Sequence, residues 1–167
     1  MGIKLRTILI IGAFIIQPFL SALLPAWFVP DLDFCILMVM AATMDLEDMT
    51  PSMVLIFALA LIQDIYQSQF IGVTVLAMMI AMVVVIIMRR MANVENVVYI
   101  AVVVAVANFV YVASYWGIYS LLSYHYSFMY MIERFPQFLV PNAVVLLIAI
   151  FIVTRGIIQK RRDGYFR

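Results

Sequence analysis

The sequence predicts an all-α integral membrane protein of about six transmembrane helices, two of them short. Three observations carry that prediction. Of its 167 residues, 68% are hydrophobic and 11% charged, against about 45–50% and about 25% in a soluble domain. The apolar runs extend from Thr7 to Thr154 with only short loops between them, which predicts a single polytopic domain, 1–167. Lys and Arg collect at three places: Lys4 and Arg6, then Arg89 and Arg90, then a tail with Arg155, Lys160, Arg161, Arg162 and Arg167. The positive-inside rule puts all three in the cytoplasm, with both termini there.

The first span is expected over 7–28. Its basic front and apolar body resemble a secretory signal, but it runs on as "LPAWFVP" without a small-residue cleavage site, so it reads as a retained span. "MGIKLR" lacks the Ser or Thr of a myristoylation signal. Pro18 should kink this helix.

Next come two shorter segments, 32–44 and 51–66, flanking the acidic turn "DLEDMT". They read either as two short tilted spans or as a re-entrant pair, and both satisfy the basic-cluster parity. Asp31 reads as an N-cap after Pro30, and Asp33 as an interfacial acid. Thr50 before Pro51 reads as another N-cap with proline at the first helical position. Asp45, Glu47 and Asp48 read as a solvated turn rather than a metal site.

Spans four and five are expected over 71–88 and 97–119, each long enough to cross ~30 Å at 1.5 Å per residue. Small residues four apart (Ala77 and Ala81, Ala101 and Ala105, Ala113 and Gly117) mark positions where helices could approach closely. The stretch "SLLSYHYSFMYMIERFP", rich in Tyr and Phe, reads as an interfacial outer loop, with His125 as a polar tip. The last span is expected over 138–154, with Pro141 near its start.

Between Arg6 and Arg89 lie six acids and no basic residue. Asp64, in the last turn of its segment, meets the unfavourable end of the helix dipole. It either accepts N–H groups at the start of the next helix near Gly72 or contacts a partner or ligand. Asn142 and Asn108, amides in apolar spans, are expected to form interhelical hydrogen bonds.

Several function classes lose support. One cysteine, Cys35, and one histidine offer neither a disulfide nor a metal cluster nor a Ser–His dyad, and nucleophile-elbow, zincin and phosphate-loop motifs are missing. No enzyme activity and no cofactor are expected. A net charge of +1 without a basic stripe predicts no nucleic-acid partner; the lipid bilayer is the first partner.

The order "VPDLDFCILMVM", "LALIQDIYQSQFIGVTVLAM", a basic pair, and "LVPNAVVLLIAIFIVTRGIIQKRR" resembles the rod shape-determining protein MreD family along nearly the whole chain. Pro30–Asp31, Gln63–Asp64, Gly72, Asn142 and the basic residues from Arg155 to Arg162 match its pattern in order. The chain departs from it at Ala58, Ala60, Ser68 and Gln69, where glycines are usual, and in the acidic "DLED" turn. The resemblance implies a non-enzymatic scaffold of bacterial cell elongation in the cytoplasmic membrane. It also implies an MreC-type bitopic partner and, through it or directly, MreB filaments and RodA with a class B penicillin-binding protein. Candidate partner-binding or structural residues are then Pro30, Asp31, Asp64, Gly72 and Asn142, with Arg89, Arg90, Arg155, Arg161 and Arg162 as cytoplasmic anchors. The alternative is the membrane-embedded substrate-binding subunit of an energy-coupling-factor importer for a vitamin or metal, which is similar in length and span number. That class should show a polar pocket on the outer side.

Overall fold

A computed structural model describes residues 3–67, 70–91, 97–122 and 128–164. It contains six helices and, among the described residues, no strand: α1 Ile3–Leu23, α2 Leu32–Thr43, α3 Leu46–Gln67, α4 Val73–Met91, α5 Val97–Leu122 and α6 Phe128–Gly164. All but α2 are long and apolar enough to cross a membrane, consistent with a multi-pass membrane protein. The long helices turn many large apolar side chains outward, such as Ile8, Phe19, Val83 and Leu147, as lipid-facing surfaces do. Lipid is as apolar as leucine, so close packing and interhelical hydrogen bonds must hold the helices together.

The short helix α2 is the hub. It contacts each of the five others, which follow one another around it in the order α1, α3, α4, α5, α6. The ring is open between its ends: among the described residues no Cα of α1 comes within 8 Å of one of α6. Phe34, Leu37 and Met38 are fully buried. Beyond Asp33 in its first turn α2 is apolar on every side up to Thr43, and such a helix belongs in the middle of a bundle. Phe34 also stacks on Tyr111 of α5, with centroids 4.0 Å apart and planes at 11°.

Arginines fix one end of the bundle. Arg6 Nη1 donates to Asp48 O at 2.6 Å. Arg89 Nη1 donates to Ala41 O at 2.7 Å and Met44 O at 2.5 Å, satisfying carbonyls where α2 stops. Tyr99 Oη of α5 donates to Met88 O of α4 at 2.5 Å. The starts of α1, α3 and α5 and the ends of α2 and α4 therefore share this basic end, so α2 runs toward it from within the bundle and α3 runs back from it. The turn between α2 and α3 therefore lies at the end that Arg6 and Arg89 hold.

At its other end α2 starts deep. Gln17 Nε2 of α1 donates to Pro30 O at 2.8 Å, and Leu32 N donates to Gln17 Oε1 at 3.3 Å. The start of α2 is thus level with a residue about 9 Å short of the end of α1, at 1.5 Å per residue. Two prolines, Pro25 and Pro30, interrupt the segment that makes this descent, and Phe28 N closes a turn onto Pro25 O at 2.7 Å.

Four expectations are corrected here. The first helix ends at Leu23, short of 28, because the chain folds back at Pro25. The third is not short: it starts at Leu46, with Pro51 in its interior, and Thr50 Oγ1 bonds back to Leu46 O at 2.8 Å instead of capping. The aromatic segment expected as an interfacial outer loop is helical in its described part. Its rings dock on α5, with Tyr130 against Trp116 at 6.0 Å and Phe135 against Phe109 at 5.3 Å; His125 lies outside the described residues. Consequently the last helix starts at Phe128 instead of near 138, and Pro141 lies in its interior, as does Pro136. Of the small-residue pairs, Ala77 and Ala81 are fully buried, whereas Ala105 is exposed.

Candidate functional site: a polar cavity over the start of the central helix

Because α2 is 12 residues long and its neighbours 19 or more, the space beyond its first turn is not filled by helix. A cavity of about 170 Å³ lies there, lined by residues of α1, α4, α5 and α6 and the α1–α2 connection, among them Gln17, Asp31, Thr74, Tyr111 and Asn142. Tyr115, Trp116 and Phe138 supply aromatic walls. Tyr115 and Phe138 lie 6.3 Å apart, Trp116 and Phe138 5.2 Å.

Asp31 is the centre of the polar cluster. As N-cap of α2 its Oδ1 accepts from Phe34 N at 3.1 Å, filling an orphan donor of the first turn. Its Oδ2 accepts from Tyr111 Oη. Its own N–H donates to Asn142 Oδ1 of α6 at 2.7 Å. Pro30, which cannot donate, presents its carbonyl to Gln17. So the adjacent Pro30 and Asp31 meet the distant Asn142 at one joint.

Asp64 and Gly72 form a second joint. Asp64 Oδ2 accepts from Gly72 N and Thr74 N, both at 3.0 Å, and Oδ1 accepts from Thr74 Oγ1. The carboxylate thus neutralises the donors at the start of α4 and is 1% exposed. Gly72 has φ +89°, a conformation for which glycine pays no Cβ penalty. Thr74 belongs to this joint and to the cavity wall, so the two joints lie in the same half of the bundle.

Asp33 is not interfacial. It is 2% exposed, and both its oxygens are buried without a hydrogen-bond partner among the described residues; the descending segment before α2 carries it inside. Asn108 Nδ2 donates to Leu139 O of α6 at 3.0 Å, while its Oδ1 is buried and unpartnered. Arg89 sits at the opposite, basic end, and Arg90 is exposed there. Arg155, Arg161 and Arg162 lie on the last turns of α6, and their side chains are outside the described residues. Asp45, Glu47 and Asp48 are exposed, and among the described residues no three His, Cys, Asp or Glu gather as a metal site.

Sequence reasoning missed Gln17, Thr74 and Tyr111. Gln17 carried a signal, as a lone amide inside the first apolar run; Thr74 and Tyr111 carried none, being ordinary residues for a membrane helix.

The fold and cavity define a class, a bundle of long apolar helices around a short buried one with a polar recess in one half. No protein-family model, no curated protein and no solved structure matches the chain.

Proposed function

We propose that the protein is a non-enzymatic scaffold of the bacterial cell-elongation machinery. It resides in the cytoplasmic membrane with both termini inside and pairs with an MreC-type bitopic protein. Through that protein or directly it serves MreB filaments and RodA with its class B penicillin-binding protein. One observation carries the reading: the residues of the MreD resemblance, scattered from 30 to 142, fall into two hydrogen-bonded joints, Pro30–Asp31 with Asn142 and Asp64 with Gly72. Residues that meet in this way behave as an ordered signature rather than as accidents of an apolar chain. Since the Asp64 oxygens are engaged in its turn, Asp64 would act on a partner by shaping that turn. The test is co-purification of an MreC-type protein from the same bacterium with the tagged chain, together with cell shape on depletion. Retention of the partner and rounding of the cells support the scaffold; normal rods without the chain contradict it.

The cavity favours a second reading, the substrate-binding subunit of an energy-coupling-factor importer, which calls for a polar pocket on the outer side. Saturable thermal stabilisation of the purified protein by a vitamin would favour it.

A further inference from the structure

We propose that the cavity over the start of α2 binds a small organic cation, with the Asp31 carboxylate as counter-charge and the Tyr115, Trp116 and Phe138 rings as walls. This rests on the cavity alone and holds under either reading of function.

Among the described residues, the lining includes one carboxylate and no Lys, Arg or His. Arg6 and Arg89 are committed to backbone carbonyls at the far end of the bundle. Arg134 turns to Gln137 Oε1 at 3.1 Å and to the Tyr130 ring at 5.4 Å. A carboxylate has about four acceptor positions, and the three protein donors on Asp31, from Tyr111 and the Phe34 and Asp33 backbone, leave one for a ligand N–H. Phe34 N and Tyr111 hold the carboxylate, and Asn142 holds the Asp31 backbone, so binding need not order it. The start of α2 contributes about half a positive charge, which the full charge of Asp31 outweighs, and Asp64 behind Thr74 adds to the negative side. Aromatic rings beside a carboxylate favour an ammonium or guanidinium over a neutral or anionic solute. For size, a cavity of about 150 Å³ accepts benzene, so this one suits a single ring or short alkyl group bearing one cationic head.

The experiment uses the purified full chain in detergent micelles, in a Trp27→Phe background so that Trp116 is the fluorophore. Benzylammonium, benzyl alcohol and benzoate are titrated as probes of matched shape and different charge. Benzylammonium is expected to change the Trp116 emission saturably, with benzyl alcohol and benzoate weaker by about tenfold or more, the worth of one charged hydrogen bond. Asp31→Asn keeps an N-capping side chain and is expected to lose the same factor. A wild-type response that does not saturate, equal binding of benzyl alcohol, or unchanged binding in a folded Asp31→Asn protein would overturn the proposal. The neutral probe tests the wild type directly, so a variant that fails to fold does not spoil the result. Binding that persists in the complex with an MreC-type protein marks a free solute as the natural occupant; binding lost only there marks a Lys or Arg side chain of that protein. A failed titration leaves the scaffold reading intact.

Discussion

The backbone N–H of Asp31 donates to Asn142 Oδ1 at 2.7 Å across 111 positions of sequence, tying the start of the central helix to α6. Replacing Asn142 with Leu strands that N–H inside the bundle and should lower stability by about 1–2 kcal/mol. Asn108→Leu is expected to cost less than about 1 kcal/mol, since it loses one bond to Leu139 O but also removes a buried orphan oxygen. Unfolding of both variants in micelles checks the ranking, and equal losses would contradict it.

At the second joint, Asp64→Leu leaves two backbone donors and a hydroxyl without their acceptor and should cost about 2–4 kcal/mol. Asp64→Asn keeps one acceptor oxygen and should cost less. A Cβ at Gly72 would meet nothing within 4 Å, so Gly72→Ala should suffer only the left-handed backbone penalty, about 1–2 kcal/mol. Thermal melts of the three variants give the comparison.

Asp33 presents the opposite sign. Its buried oxygens have no partner among the described residues, so Asp33→Leu should raise stability by about 1–3 kcal/mol. A drop in the melting temperature would mean that the carboxylate supports the fold.

Arg89 holds two carbonyls at the end of α2. Arg89→Met should cost about 1–3 kcal/mol, and Arg89→Lys less, because a single ammonium offers a point charge without the guanidinium fork. Denaturation midpoints of the two variants decide.

Composition made the helical class legible, and apolar length located every long span but the third, because bilayer thickness dictates span length. The basic clusters at Arg6 and Arg89 were readable as sharing one end. Asp64 and Asn142 could be singled out because an isolated polar group in an apolar helix must find a partner. The depth at which α2 starts was hidden: it depends on Gln17 meeting Pro30 and Leu32, a tertiary contact with no local pattern. The misplacement of Asp33 follows from that one error of depth. Pro51 read as a first helical position and Pro141 as near the start of the last span, yet both lie inside a helix, since a bundle can tolerate one missing backbone bond when its neighbours supply packing.

The most direct test of the central arrangement is labelling of single cysteines in intact and permeabilised cells, in a Cys35→Ser background, with a membrane-impermeant maleimide. Ala26 lies on the exposed rim of the cavity and Asp45 on the exposed turn at the basic end. Ala26→Cys is expected to react in intact cells, and Asp45→Cys only after permeabilisation. Labelling of both from the same side would contradict a central helix that runs from a recessed cavity to the arginine-held end.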